Sequence, residues 1–339
     1  MGISMLLSLL FACSEIDDSC SRAKDGVCDE LQTCPLGTDS TDCNLACEEL
    51  PWSLEIAGAC AHDLAGLEPE SQMTAGAGTE GKGGLTGIMD ETIQVRSAAA
   101  DELIDRYYRL YVPRRYNPER PTPVLFALGG FSVDMYWMQE FTELYRLADR
   151  EDIIVVFGHP EWRDFGSYDV FAWYTYNRTV GGVWRDFEGE WVDNPDIAYM
   201  AGIVERLSGL YNVDRSRIYV SGHSRGGALS MIAAFERPDL FAGFSPQAGF
   251  LTANDYDLRI EDLAETVRPA GYIIHGDQDP DVPVSESDTL VDILETQGWE
   301  EGEQFVYQRI PGAKHEWQSH FNQEMWDFLY SHPNQLGGE

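Results

Sequence analysis

Beyond residue 100, short apolar segments alternate with segments that have helical spacing. Patterns typical of strands lie at residues 107–112, 124–128, 153–157, 217–220, 272–274 and 305–309. Patterns typical of helices lie between them, at residues 141–149, 197–211 and 228–235. Because strands that alternate with helices form a mostly parallel sheet covered on both faces, we expect a doubly wound α/β domain.

A Gly-x-Ser-x-Gly element lies between a predicted strand and a predicted helix. It consists of Gly222, His223, Ser224, Arg225 and Gly226. A strained turn of this kind lifts the serine clear of the sheet, and the turn leaves no room for side chains at the two glycines. The helix that begins here also places partial positive charge near the serine. We therefore predict that Ser224 is a nucleophile.

A serine nucleophile needs a base, and the base needs a carboxylate that orients it. One later loop, which follows a predicted strand, offers Asp277, Asp279 and Asp281 as candidate acids. The loop after the last predicted strand offers His315 as the base. The chain order of serine, acid and histidine is that of α/β-hydrolases.

Residues from about 100 to 332 resemble the polyhydroxybutyrate depolymerase, feruloyl esterase and acetylxylan esterase group of α/β-hydrolases. The resemblance rests on the serine element and on the segments 109–113, 124–130, 275–283 and 312–317. It implies that the acid is the third residue after Gly276, which is Asp279, and that the base is His315. It further implies an ester substrate, which can be a polymer, an acyl-enzyme on Ser224, and no cofactor for catalysis.

Two backbone N–H groups are expected to stabilise the oxyanion of such an enzyme. We expect one from Arg225, directly after the nucleophile, and the other from Phe131, in the loop after the strand that ends at Leu128. Related enzymes usually have His-Gly in this loop, whereas this chain has Gly129 and Gly130. Because the donor is a backbone group, loss of the histidine need not remove the oxyanion hole.

Aromatic residues are dense between residues 161 and 191. Aromatic faces suit a cleft for a phenolic, sugar-linked or polyester substrate. We expect one or two of Trp162, Trp173 and Trp184 to contact the substrate. The alternative is that these residues are ordinary core or support a long loop.

All seven cysteines lie within the first 60 residues. The apolar run in residues 1–12 is too short to cross a bilayer and indicates a signal peptide. Its end at Cys13 resembles the bacterial lipobox, which implies lipidation of Cys13 and an extracellular or cell-envelope location. The other six cysteines suit disulfides in an oxidising compartment, and their pairing is open.

The segment 20–43 places Asp25, Asp29, Asp39 and Asp42 among four cysteines. It resembles the small Notch-type repeats, in which carboxylates bind calcium, although those repeats usually have six cysteines. Calcium is therefore one expectation, and solvated aspartates in turns are the other. The predicted organisation is a signal peptide at 1–12, a disulfide-rich acidic module at 13–60, a flexible linker at 61–91 and an α/β-hydrolase domain at 92–332.

The formal net charge of -35 repels nucleic acids and anionic lipids. We therefore expect no nucleic-acid partner, and a membrane association only through a lipid anchor at Cys13. Two functions compete with an extracellular ester hydrolase. One is a serine peptidase of the prolyl-oligopeptidase type, which shares the fold and the triad order but usually carries a propeller domain. The other is a non-catalytic lipoprotein that binds a surface.

Overall fold

The computed structural model describes residues 78–79, 81, 85–96, 102–164, 169–173, 175, 194–251 and 267–334. The predicted signal peptide, Cys13, the cysteine-rich module with Asp25, Asp29, Asp39 and Asp42, and Trp184 lie outside these residues. Lipidation, disulfides and calcium binding therefore stay predictions. Within the described ranges, the helices are all too short or too polar to cross a membrane.

The core of the domain is an eight-stranded sheet. The described residues form ten strands in all: β1 (Gly87–Arg96), β2 (Leu103–Val112), β3 (Thr122–Leu128), β4 (Ile154–Gly158), β5 (Glu161–Asp164), β6 (Asp169–Ala172), β7 (Val213–His223), β8 (Gly243–Gln247), β9 (Ala270–Gly276) and β10 (Phe305–Ile310). The sheet order is β1-β2-β4-β3-β7-β8-β9-β10, and β5 pairs with β6 as a separate hairpin. Among the described strands, β2 runs antiparallel to both β1 and β4, and the other pairings in the sheet are parallel. The predicted mostly parallel sheet of the α/β-hydrolase type is confirmed.

Helices cover both faces of this sheet. They are α1 (Met135–Thr142), α2 (Leu144–Glu151), α3 (Pro195–Leu210), α4 (Arg225–Glu236), α5 (Ser285–Thr296) and α6 (Asn322–Tyr330). Alternate residues of a strand point to opposite faces. Phe126 of β3 accordingly belongs to a core cluster with Leu229 of α4, while its neighbour Leu125 belongs to a second cluster with Leu147 of α2. The sheet is therefore buried on both sides, as the apolar strands require.

The helix predicted at residues 141–149 is in fact two helices. Asp134 begins α1 by accepting hydrogen bonds from the N–H groups of Tyr136 and Trp137. The chain then breaks at Glu143, which has a left-handed backbone with φ of 56°. The apolar spacing continues across the break, because both helices bury one face against the sheet. Spacing alone could not show where one helix ends.

The predicted linker at residues 61–91 is wrong at its C-terminal end. β1 begins at Gly87 and pairs with β2 along its whole length. Farther upstream, the Thr79 hydroxyl donates to the carbonyl of Tyr211 at 2.7 Å, and the Tyr211 hydroxyl donates to the carbonyl of Leu85 at 2.8 Å. The described residues 78–79 and 85–91, which the prediction assigned to the linker, therefore pack on the domain. An edge strand with one solvated face lacks a strong apolar pattern, which is why composition suggested a linker.

Candidate active site

Ser224 occupies the sharp turn between β7 and α4. Its backbone has φ of 55° and ψ of −117°, a left-handed φ that residues other than glycine rarely adopt. A Cβ added at Gly222 would lie 2.3 Å from the carbonyl group of Gly226, and one added at Gly226 would lie 2.1 Å from the carbonyl oxygen of Leu128. Both glycines are therefore required by the close approach of backbone to backbone. The N–H of Ser224 donates to the carbonyl of Gln247 in β8 at 2.9 Å, which ties the turn to the sheet.

Asp279 and His315 form a hydrogen-bonded pair. The distance from Asp279 Oδ2 to His315 Nδ1 is 2.7 Å, and the Asp279 side chain is fully buried whereas that of His315 is partly exposed. Asp279 Oδ1 accepts the N–H groups of Asp281 and Val282, each at 2.8 Å. Burial by itself would raise the pKa of Asp279, but the hydrogen bonds from Val282, His315 and Asp281 outweigh it and hold that pKa below its ordinary value. The carboxylate is thus charged and fixed, and Nε2 is the remaining nitrogen of the His315 ring.

The two competing aspartates of this loop have other positions. Asp277 is exposed, and its Oδ1 accepts the N–H of Gly312 at 2.7 Å, which links the acid loop to the base loop. Asp281 is exposed. Of the three candidate acids, Asp279 is the one that contacts His315, as the resemblance implied.

Asp279, Asp281 and His315 also lie close enough together to be considered as metal ligands. One possible ligand atom each from Asp279, Asp281 and His315 lies within 4.8 Å of the others. Both oxygens of Asp279 already accept hydrogen bonds, however, and calcium requires six to eight oxygen ligands. The contacts of Asp279 suit an acid that orients a histidine better than a metal ligand.

His223 connects His315 to the serine turn. Its ring centroid lies 4.6 Å from that of His315, and its backbone directly precedes Ser224. Burial, followed by the neighbouring His315, lowers the pKa of His223 to about 3. His223 is therefore a neutral ring that packs beside the base. Its place beside the nucleophile is visible in the sequence, but no local signal indicates that its ring packs on that of His315.

The loop after β3 passes close to Ser224. A Cβ added at Gly130 would lie 3.2 Å from the Cβ of Ser224. The carbonyl of Gly129 accepts a hydrogen bond from the indole N–H of Trp173 at 2.8 Å. A glycine pair thus lets the backbone approach the nucleophile, and the hydrogen bond from Trp173 holds that backbone in place.

Arg225 and Phe131, the two expected oxyanion residues, lie side by side. The Arg225 guanidinium is 5.9 Å from the centre of the Phe131 ring, and its Nε donates to the carbonyl of Trp173 at 3.0 Å. Phe131 is 41% exposed, so its ring faces solvent next to the serine turn. The backbone of Arg225 starts α4, where N–H groups point toward an incoming negative charge.

The structure separates the aromatic candidates. Trp173 is completely buried and its indole N–H donates inside the domain, which fits the alternative that this tryptophan belongs to the core. Trp162 is 54% exposed, and its ring meets that of Phe171 edge to face at 4.7 Å. The carbonyl of Phe171 accepts the N–H of Ser132 at 3.0 Å, so the β5–β6 hairpin adjoins the loop that carries Phe131.

Curated relatives share part of this chain. A bifunctional acetylxylan esterase/xylanase of Neocallimastix patriciarum is 26% identical over 144 residues, which cover 42% of this chain and 18% of the relative. Feruloyl esterase C of Emericella nidulans is 25% identical over 199 residues, covering 56% of this chain and 61% of the relative. The matches therefore span less than two thirds of the length of these relatives.

Solved structures have the same fold at low sequence identity. A ferulic acid esterase from Anaeromyces mucronatus superimposes with a TM-score of 0.51 at 17% identity, over 75% of this chain and 93% of the other. An S-formylglutathione hydrolase from Agrobacterium tumefaciens gives a TM-score of 0.52 at 17% identity, over 77% and 99%.

The family comparison covers strands β3 to β10, nearly all of β2, and the three candidate catalytic residues. Residues 104–330 match the family named Esterase, described as "Putative esterase". This range is more than half of the chain and contains Ser224, Asp279 and His315. The chain therefore belongs to the Esterase family.

Proposed function

We propose that this protein is an extracellular serine hydrolase that cleaves carboxylic esters. One observation carries the proposal: Ser224 lies on a strained strand-to-helix turn, and the Asp279–His315 pair lies against His223 in the same turn. A nucleophile, a base and an orienting acid are the three parts that activate a serine hydroxyl.

In the acylation step, His315 Nε2 removes the hydroxyl proton while Ser224 Oγ attacks the ester carbonyl carbon. Asp279 holds the imidazole through Nδ1 and stabilises its charged form. The backbone N–H groups of Arg225 and Phe131 donate to the oxyanion. The tetrahedral intermediate collapses, His315 gives its proton to the leaving alcohol, and an acyl-enzyme remains on Ser224.

In the deacylation step, water takes the place of the alcohol. His315 accepts a proton from the water, and the resulting hydroxide attacks the acyl carbon. The second tetrahedral intermediate releases the carboxylic acid, and His315 returns the proton to Ser224 Oγ. All atoms and protons balance without a cofactor.

We propose feruloyl and acetyl esters of polysaccharides as the substrate class, with polyesters as a further candidate. The names of the curated relatives support this choice, as does the partly exposed ring of Phe131 beside the serine turn. Trp162 offers a second exposed aromatic face on the neighbouring hairpin. Aromatic surfaces of this kind bind phenolic rings and sugar faces.

The location of the protein is also a proposal. We infer export and lipid attachment at Cys13 from the apolar leader, and calcium binding by Asp25, Asp29, Asp39 and Asp42 from their spacing among cysteines. Incorporation of a labelled fatty acid in a bacterial expression host, compared with a Cys13→Ser variant, tests the anchor. Calorimetry of the full chain with calcium tests the metal.

The decisive experiment combines covalent labelling with a substrate panel. We expect a fluorophosphonate to label Ser224, because a base-activated serine attacks phosphorus, and we expect no labelling in Ser224→Ala. The panel contains p-nitrophenyl acetate, methyl ferulate, acetylated xylan, polyhydroxybutyrate and a prolyl amide. Cleavage of the amide alone would favour a peptidase, and inertness to every probe would favour a surface-binding protein.

A further inference from the structure

His275 contacts Asp279, the candidate acid. It comes before Asp279 in the sequence, whereas the base loop with His315 comes after it. It lies near the end of β9, and its side chain is completely buried. His275 Nε2 lies 3.3 Å from Asp279 Oδ2 and 3.0 Å from the carbonyl oxygen of Val282. His275 Nδ1 lies 2.7 Å from the hydroxyl oxygen of Ser287, in the first turn of α5.

These partners define the tautomer of His275. A carbonyl oxygen can only accept, so the bond to Val282 requires a hydrogen on Nε2. Burial lowers the pKa of His275, so its ring is neutral and carries only that one hydrogen. Nδ1 then accepts from the Ser287 hydroxyl. The hydrogen on Nε2 therefore donates to Val282, and Asp279 Oδ2 lies 3.3 Å from the same nitrogen.

We propose that His275 is a positioning residue that holds Oδ2 of Asp279 and draws charge from it. This inference rests on the proposed function, in which Asp279 orients His315. Two backbone N–H groups hold Oδ1, so the orientation of the carboxylate is completed at Oδ2, where His315 Nδ1 donates at 2.7 Å and His275 Nε2 lies 3.3 Å away. The chain of contacts runs from α5 through Ser287 and His275 to the acid.

The charged and titratable groups around this carboxylate come from several elements. His275 approaches from β9, His315 from the loop after β10, and Asp281 lies exposed in the acid loop itself. His223 approaches from β7, and its ring packs against that of His315. Of these groups, His315 and His275 are the two whose ring nitrogens lie closest to Oδ2 among the described residues, at 2.7 Å and 3.3 Å.

Removal of the His275 donor has a directional consequence for catalysis. Without it, more negative charge remains on Oδ2, and this charge stabilises the protonated form of His315. The acid limb of the kcat/KM profile then moves to higher pH. Because the orientation of the carboxylate also loosens, kcat on the pH plateau falls while KM changes little.

The test compares three variants of the full chain. His275→Phe cannot donate, and we expect kcat to fall roughly tenfold, with the acid limb raised by about half a pH unit. His275→Gln keeps an amide N–H in the place of Nε2 and should restore most of kcat and the original limb. Ser287→Ala removes only the bond at Nδ1 and should leave the limb unmoved.

A readout without activity addresses the same contact. In the wild-type protein, nitrogen NMR of His275 should show hydrogen on Nε2 and none on Nδ1 at neutral pH. A hydrogen on Nδ1 would overturn the proposal even if His275→Phe does not fold. An unchanged pH profile in folded His275→Phe would also overturn it, as would an equal shift in Ser287→Ala. Wild-type protein inert to fluorophosphonate would instead reject the proposed function.

Discussion

Trp173 donates its indole N–H to the carbonyl of Gly129 at 2.8 Å, across 44 positions of the chain. The next residue along from that carbonyl, Gly130, passes beside the Cβ of Ser224. The indole is buried, and its own backbone carbonyl accepts the Nε–H of Arg225. One tryptophan thus joins the loop after β3 to the start of α4, the two segments that carry the proposed oxyanion donors.

This relationship predicts the effect of Trp173→Phe. The substitution keeps an aromatic ring but leaves the buried carbonyl of Gly129 without this donor, which should cost about 1–3 kcal/mol of unfolding free energy. We also expect kcat to fall roughly tenfold, because the oxyanion loop is less firmly placed. Urea unfolding and steady-state kinetics measure the two effects. Trp162→Phe, at an exposed ring, is the matched control and should preserve stability. An equal loss of stability in this control would show that the hydrogen bond from Trp173 to Gly129 is not the cause.

The acid assignment makes a sharp comparison among three aspartates. Asp279→Asn should lower kcat by on the order of 10⁴, because the amide supports the wrong tautomer of His315. Asp277→Asn keeps an oxygen for the N–H of Gly312 and should cost far less. Asp281→Asn should also cost little, since this side chain is exposed. A crippled Asp277→Asn with an active Asp279→Asn would show that another residue is the acid.

The low pKa of His223 predicts that the free energy of unfolding decreases at acid pH. Its pKa is about 3 in the folded protein, against about 6.5 for an ordinary histidine. Between these values the unfolded chain binds one more proton at this site, so stability falls as pH falls, by roughly 1.4 kcal/mol per pH unit. From pH 7 to pH 5, wild type should therefore lose about 2 kcal/mol more than His223→Gln.

Urea unfolding of both proteins at pH 5, 6 and 7 measures this difference. The rest of the acidic surface is common to the two proteins, so its contribution cancels in the comparison. Parallel stability curves for the two proteins would mean that His223 does not stay neutral in the folded state.

The position of β1 predicts that two truncations behave differently. Removal of residues 1–77 keeps β1 and the contacts of Thr79 with Tyr211, and activity should persist. Removal of residues 1–90 cuts away the first four residues of β1 and their pairing with β2. We expect the shorter protein to be less stable, with a lower melting temperature in calorimetry. Equal stability of both would show that the upstream contacts contribute nothing.

Several parts of the fold could be predicted from the sequence because they depend on local chemistry. The apolar runs of β3 and β4 are buried on both faces and needed no tertiary information. β8 escaped prediction because Gly243 and Pro246 are poor strand formers, and only its place between β7 and β9 makes it a strand. Its backbone partners come from distant parts of the chain, and this pairing overrides propensity.

The aromatic stretch shows the same division at the site. The density of aromatic residues in the sequence could not distinguish Trp162 from Trp173, because both are tryptophans with similar neighbours in the chain. Burial and the hydrogen bond to Gly129 separate them, and both properties belong to the folded molecule.

By itself, the sequence determined that Ser224 sits in a strained turn, because glycines at a strand-to-helix boundary have a local steric reason. It also determined that a loop with candidate acids and then a loop with a candidate base follow Ser224 along the chain. Only the tertiary structure decided that Asp279 contacts His315, that His223 packs on that base, and that His275 reaches the same carboxylate. The physical reason is distance: hydrogen bonds act over about 3 Å, and only the packed sheet brings residues so far apart in the chain within that range.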